Sequence, residues 1–290
     1  MKTDSPDSQA PEATPSESGR RGLAQRLSAE RASPELGETS ALTLALAPVL
    51  EAAEHCLRTW EPAWTGFLDG AVREAAEARL GALSDLQIDR AGGHGGAERC
   101  RLLLQRSEAA LSPDQVKADF AGLEIAGNFL FDPAEPADFR AALLAAGARP
   151  ETLGDLWIRG DRGAQAITTA ELATRLHGQP GLVRTVEVRF EARPLAELQL
   201  PPPRVARSLT TVEASTRLDA VASAGFGLSR SRMAALIRQG AVRIDWRVIT
   251  SPSRELRGGE RVRIEGRGEL SIEAVETTKR DRFRIRMRRR

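Results

Sequence analysis

The sequence predicts a multidomain α+β protein, and three observations carry that prediction. The chain has 290 residues, length enough for two or three domains. Its apolar spacing changes character along the chain, from helical in residues 39–110, to alternating strand and helix signals in 111–193, to a short αα-hairpin with strands in 210–275. A proline-rich stretch at 194–209, with three consecutive prolines, separates the second region from the third as a stiff linker.

Residues 1–38 are rich in Ser, Pro, Glu and Ala with few large apolar side chains. Such a composition cannot offset chain entropy, so a disordered leader is expected. Its acidic residues Asp4, Asp7, Glu12 and Glu17 argue against a transit peptide. Residues 39–110 are predicted to form a mainly helical N-terminal domain. Leu42, Leu46, Val49, Leu50, Ala53, Leu57 and Trp60 share one face, with Pro48 in or before the first turn. A second helix is expected after Pro62, carrying Trp64, Phe67, Leu68, Ala71, Val72 and Ala75. A glycine-rich loop follows at 92–96. Such loops can turn amides toward phosphate, so Gly93, His94, Gly95 and Arg99 form a candidate secondary phosphate or RNA contact, with a tight structural turn as the alternative.

Residues 111–193 read as β-α-β-β-α-β, the order of ferredoxin-like domains. Strands are expected at 123–130, 154–159, 164–168 and 185–192. Helices are expected at 136–146 and after Thr169, the latter closed by Gly178. Many RNA-binding domains share this order, but the aromatic motif that stacks bases is absent, so fold alone does not assign a function.

The third region is basic. Residues 201–290 hold 21 Lys plus Arg against 10 Asp plus Glu, an excess of +11, which leaves −9 for residues 1–200. A split of this kind marks one end as a polyanion binder. Within 210–275, Leu218, Val221 and Ala222 share a helical face, and Gly225–Gly227 stop that helix. Ser229 is placed as an N-cap, Met233, Leu236 and Ile237 repeat at helical spacing, and Gly240 ends the second helix. Val242 and Ile244 alternate as a strand, and Asp245-Trp246 turns the chain into Val248-Ile249. Arg217, Arg230, Arg232, Arg238, Arg243 and Arg247 punctuate this compact module, and arginine forks match phosphate geometry. Residues 276–290 are expected to form a basic C-terminal strand or tail whose last three residues are mobile.

This stretch, Arg217-Leu218-Asp219, then Ser229-Arg230, then Leu236-Ile237 with Gly240, Val242, Ile244 and Asp245-Trp246, resembles the S4 domain, a small RNA-binding module. Asp245-Trp246 departs from the Asn-Gly of many members. The Trp form is similar to the YlmH-like proteins, also called photosystem II S4-domain proteins. Further pieces carry the same resemblance: Gly92-Gly93-His94-Gly95-Gly96-Ala97-Glu98-Arg99, Gly154-Asp155-Leu156 with Gly163-Ala164-Gln165, and Lys279-Arg280-Asp281-Arg282-Phe283-Arg284-Ile285.

The resemblance implies RNA contacts at Arg217 and Arg230, with Ser229 as the cap. Charge and spacing add Arg232, Arg238, Arg243 and Arg247. Trp246 at the hairpin tip is a candidate for stacking on a base, against the alternative of packing on the linker or tail. Asp219 reads as an anchor for nearby amides or arginines. The expected function is non-catalytic binding of structured rRNA or tRNA, as a monomer on a ribosomal subunit in the cytoplasm, in translation or ribosome quality control. Two alternatives are an RNA-modifying enzyme of the pseudouridine-synthase kind and a protein-assembly factor linked to photosystem biogenesis. No cofactor or metal is expected, because the three histidines and two cysteines have no ligand spacing. No apolar run is long enough to span a membrane.

Overall fold

The computed structural model describes residues 38–112, 115–202 and 205–290. The expected disordered leader lies outside these residues. The chain is α+β and built from three successive core clusters.

In the first, helix α1 (Glu38–Thr59) runs through Pro48 instead of starting at it. It buries Leu46, Val49, Leu50, Ala53 and Cys56, a stripe at helical spacing. The second helix starts later than its sequence suggests. Trp60 takes a positive φ of 68°, and Ala63–Trp64 form a short strand, β1. Thr65 and Leu68 continue the extended course by pairing with Leu102 and Cys100. Trp64, Phe67 and Leu68 are therefore not helical. Their apolar spacing serves an edge segment buried on both sides. Helix α2 (Gly70–Leu80) begins only where Asp69 accepts from the Val72 amide at 2.9 Å. Strands β2 (Leu86–Ala91) and β3 (Arg101–Arg106) complete an antiparallel sheet of order β1-β3-β2. Cys56 and Cys100 are both buried thiols.

The middle sheet contains β4 (Phe120–Ala126), β5 (Leu153–Ile158), β6 (Gly163–Thr169), β7 (Pro180–Val183) and β8 (Val186–Arg193). Helices α3 (Pro136–Ala145) and α4 (Ala170–Leu176) cover it, and Thr169 caps α4 as expected. The sheet order β5-β6-β4-β8-β7 is that of a split βαβ with one added edge strand. That strand, β7, escapes a sequence reading because Pro180-Gly181 looks like a turn. An edge is where a strand tolerates proline. The proline-rich segment docks on this domain: Leu198 packs with Phe67 and Ile167, and Trp157 Nε1 donates to the Gln199 carbonyl at 3.0 Å.

The C-terminal sheet has six strands in the order β11-β10-β12-β13-β14-β9. They are β9 (Arg207–Glu213), β10 (Val242–Ile244), β11 (Arg247–Val248), β12 (Arg261–Ile264), β13 (Gly268–Thr277) and β14 (Phe283–Arg289). β9 begins inside the stretch expected to be linker. Helices α5 (Leu218–Phe226) and α6 (Arg230–Arg238) lie on one face, where Leu218, Val221, Met233 and Ile237 meet Val242, Ile244, Ile285 and Met287. Gly227 and Gly240 end the two helices at φ 67° and 74°, a conformation only glycine adopts without strain. The last residues are not a loose end: Arg288 and Arg289 pair in β14, and Arg290 exchanges backbone hydrogen bonds with Glu269.

Candidate nucleic-acid interface

The α5–α6 layer is organised by one carboxylate. Asp219, in the first turn of α5, is buried at 5 % exposure. It accepts from Arg217 Nε and Nη2, both at 3.1 Å, and from Arg230 Nε and Nη2 at 3.1 and 3.3 Å. Two guanidinium forks from two different helix starts thus converge on one acceptor. Burial raises the Asp219 pKa, but the Arg217 and Arg230 hydrogen bonds outweigh it and hold the carboxyl below its ordinary value. The cluster keeps one net positive charge, and both arginine side chains remain substantially exposed beside it. The loop before β12 supports this arrangement. The Leu218 amide donates to the Arg254 carbonyl at 2.7 Å, and Arg254 is itself tied to Glu260.

Ser229 caps α6, accepting from the Arg232 amide at 3.3 Å. Its hydroxyl is committed to the helix, so its part in the surface is to position Arg230 at the first helical turn. Arg232 and Arg238 are exposed on α6. Arg232 reaches Glu135 of the middle domain at 3.6 Å. Arg217, Arg230, Arg232 and Arg238 therefore share the helical layer.

Arg243, Trp246 and Arg247 do not join them. They belong to the β10–β11 hairpin, whose turn residues Asp245 and Trp246 both have positive φ. The Trp246 ring is not an open stacking platform. Its Nε1 donates to Glu74 Oε2 of α2 at 2.8 Å, Arg263 lies 4.4 Å over its face, and its six-membered ring abuts Gly70. A Cβ at Gly70 would come within 2.0 Å of the Trp246 ring. Glu74 also receives both terminal nitrogens of Arg261, at 3.0 and 2.8 Å. Burial pushes the Glu74 pKa up, but the Arg261 and Trp246 hydrogen bonds win and lower it. Trp246 packs neither on the linker nor on the tail but on the N-terminal domain. Arg243 lines the same junction, and only Arg247 of the three is exposed. Sequence spacing could not reveal this, because Gly70 and Glu74 lie some 170 residues away in an unremarkable helix.

The glycine-rich loop is held from beneath by Asp155. Its carboxylate accepts from the Glu98 and Arg99 amides at 2.9 and 2.8 Å, and meets His94 Nε2 at 2.9 Å. Burial raises the Asp155 pKa, and these three partners reverse the effect. Arg99 turns inward, donating to the carbonyls of Leu153, Phe67 and Pro150. Its Nε and Nη2 are spent in joining the first two domains. The His94 side chain is likewise 6 % exposed. Gly95 and Gly96 form the exposed rim of the loop, and Gly93 backs onto Ile167. Asp155 is thus a site residue that composition and charge do not flag; only the Gly154-Asp155-Leu156 motif pointed to it.

Among the described residues, no group of three His, Cys, Asp or Glu side chains is arranged to hold a metal, and no helix is long and apolar enough to cross a membrane.

The chain is similar to several known proteins. Residues 216–262 match the S4 domain, and residues 44–109 match the N-terminal domain of YlmH. A curated relative from Bacillus subtilis (strain 168), "Ribosome-associated protein quality control protein P2", is 27 % identical over 222 residues, 76 % of this chain and 84 % of the relative. A solved structure, "Cell division protein ylmH from Streptococcus pneumoniae", aligns with 15 % identity and a TM-score of 0.42, covering 57 % of this chain and 97 % of that one. Two parts of the chain, residues 216–262 and 44–109, are thus similar to the S4 domain and to the N-terminal domain of YlmH.

Proposed function

We propose that this chain is a non-catalytic, ribosome-associated RNA-binding protein, docking on structured rRNA or tRNA through the α5–α6 layer and serving ribosome quality control in the cytoplasm. The observation that carries the reading is the fork at Asp219. It fixes Arg217 and Arg230 side by side at two helix starts, with their outer edges open, on a domain matching an RNA-binding module. A guanidinium already oriented by one carboxylate loses less freedom when a phosphate arrives. The relative named for ribosome-associated quality control supplies the cellular context.

Binding of this kind is phosphate-dominated and falls with salt, by about 0.7–0.9 log units per log unit of salt for each phosphate neutralised. About four contacts from the α5–α6 layer alone contribute about −3 to the slope. The expected result for Arg230→Ala is weaker binding of rRNA fragments and a slope about one unit shallower. An unchanged slope removes Arg230 from the interface.

A further inference from the structure

The last strand presents a ladder of arginines on the side of the C-terminal domain away from the helices. In β14, Ile285 and Met287 are each 1 % exposed and point into the core. Strand alternation then puts Arg284, Arg286 and Arg288 on the other face, and all three are exposed. Arg289 belongs to the inner set. Its Nη1 donates to the Phe226 carbonyl at the end of α5, at 3.1 Å, and its guanidinium lies 5.4 Å over the Phe226 ring. That arginine has a structural task, and the outward three do not share it.

Both neighbouring strands hold the ladder in line. Arg284, Arg286 and Arg288 sit opposite Val212, Thr210 and Ser208 of β9, and opposite Glu276, Ala274 and Ser271 of β13. Glu276 is the single acid in this frame, and it meets Arg286 at 3.2 Å. Among the described residues, no carboxylate lies within ion-pair distance of Arg284 or Arg288. Three sheet arginines elsewhere are matched, Arg193 with Glu124, Arg261 with Glu74 and Arg263 with Glu269. The ladder continues to Arg290. With Arg73, Arg90 and the rim of the glycine-rich loop, Arg290 lines a groove of about 790 Å³ between the first and last domains.

Three forks at about 6.7 Å intervals on a rigid strand, of which Arg286 alone meets a carboxylate, leave a row of positive charge that an anion lying along it would neutralise. The row is linear and no aromatic ring stands among its outward residues, so it suits a repeating phosphate chain and not a base. We propose that the outward face of β14 is a second RNA contact, sequence-independent, that grips the phosphate backbone of an RNA segment leading into the groove while the α5–α6 layer holds another. This rests on the RNA-binding reading but concerns a different surface.

The test compares binding of fluorescein-labelled rRNA fragments across a salt series for four full-length proteins. These are wild type, R217Q/R230Q, R284Q/R286Q/R288Q, and the ladder triple with Lys in place of Gln. The glutamine triple is expected to lose two to three units of salt slope, and the lysine triple to regain them. R217Q/R230Q is expected to keep residual salt-dependent binding. Wild-type affinity and slope in the glutamine triple overturn the ladder while leaving the helical layer standing. Wild-type protein that fails to bind rRNA at low salt overturns both. Matching thermal melts for the glutamine and lysine triples separate lost charge from lost fold.

Discussion

Arg230 and Asp219 are joined by two hydrogen bonds, at 3.1 and 3.3 Å, across the break between two helices. Asp219 accepts from Arg217 in the same way, so the carboxylate sets the separation of the two forks. Replacing it with asparagine keeps the shape and removes the charge that orients them. Asp219→Asn is expected to cost about 1–2 kcal/mol of stability, the lower part of the range for charged hydrogen bonds because both arginines are partly solvated. It is also expected to weaken RNA binding without flattening the salt slope, since both cations remain. A slope shallower by one unit, as for Arg230→Ala, would contradict the orienting role.

Gly70 and Trp246 tie the C-terminal domain to the first. Gly70→Ala places a methyl group where the indole sits, so the ring must leave its seat and Trp246 loses its bond to Glu74. The expected cost is about 1–3 kcal/mol, with a red shift of tryptophan emission and a separate, earlier unfolding transition. Gly70→Ala with wild-type emission would mean the hairpin is not seated there in solution.

Acid should weaken the protein through its anchoring carboxylates. Asp219, Asp155, Glu74 and Glu260 all have depressed pKa values, each through arginine, backbone or side-chain hydrogen bonds that outweigh burial. Between the folded and unfolded pKa values the unfolded chain binds more protons, so stability rises with pH there. The contribution is complete above about pH 5, since ordinary Asp and Glu titrate near about 3.9 and 4.3. It is lost as pH falls through the folded values. Urea midpoints are expected to be flat from pH 7 to about 5 and to drop steeply below about 4. A midpoint that holds or rises toward pH 3 would contradict these anchors.

Asp155→Ala should open the glycine-rich loop. It leaves the Glu98 and Arg99 amides without their acceptor and takes one of its partners from His94. A loss of about 2–4 kcal/mol is expected, with faster hydrogen exchange at residues 94–99. Unchanged exchange there would show that the loop does not depend on this carboxylate.

The α5–α6 layer was legible in the sequence because its signals are local: Ser229 caps within three residues, and Gly227 and Gly240 stop helices that begin nine or ten residues earlier. The middle-domain order was legible for the same reason. What the sequence hid depends on distant partners. Trp64 and Phe67 have helical spacing but lie in an extended segment, because β3 pairs with Trp64 and the Glu151 carbonyl accepts from the Phe67 amide. Trp246 looks like an exposed hairpin tip until Gly70 and Glu74 come against it. Arg99 resembles a phosphate ligand in sequence, yet three carbonyls from residues 67, 150 and 153 take its Nε and Nη2 donors.

The central claim is that Arg217 and Arg230 anchor this protein on a ribosomal particle. Sucrose-gradient sedimentation of lysates carrying either wild type or R217A/R230A tests it directly. Wild type is expected to travel with a ribosomal subunit and the double variant, folded by its thermal melt, to stay at the top. Both proteins at the top, or both with the subunit, would contradict it.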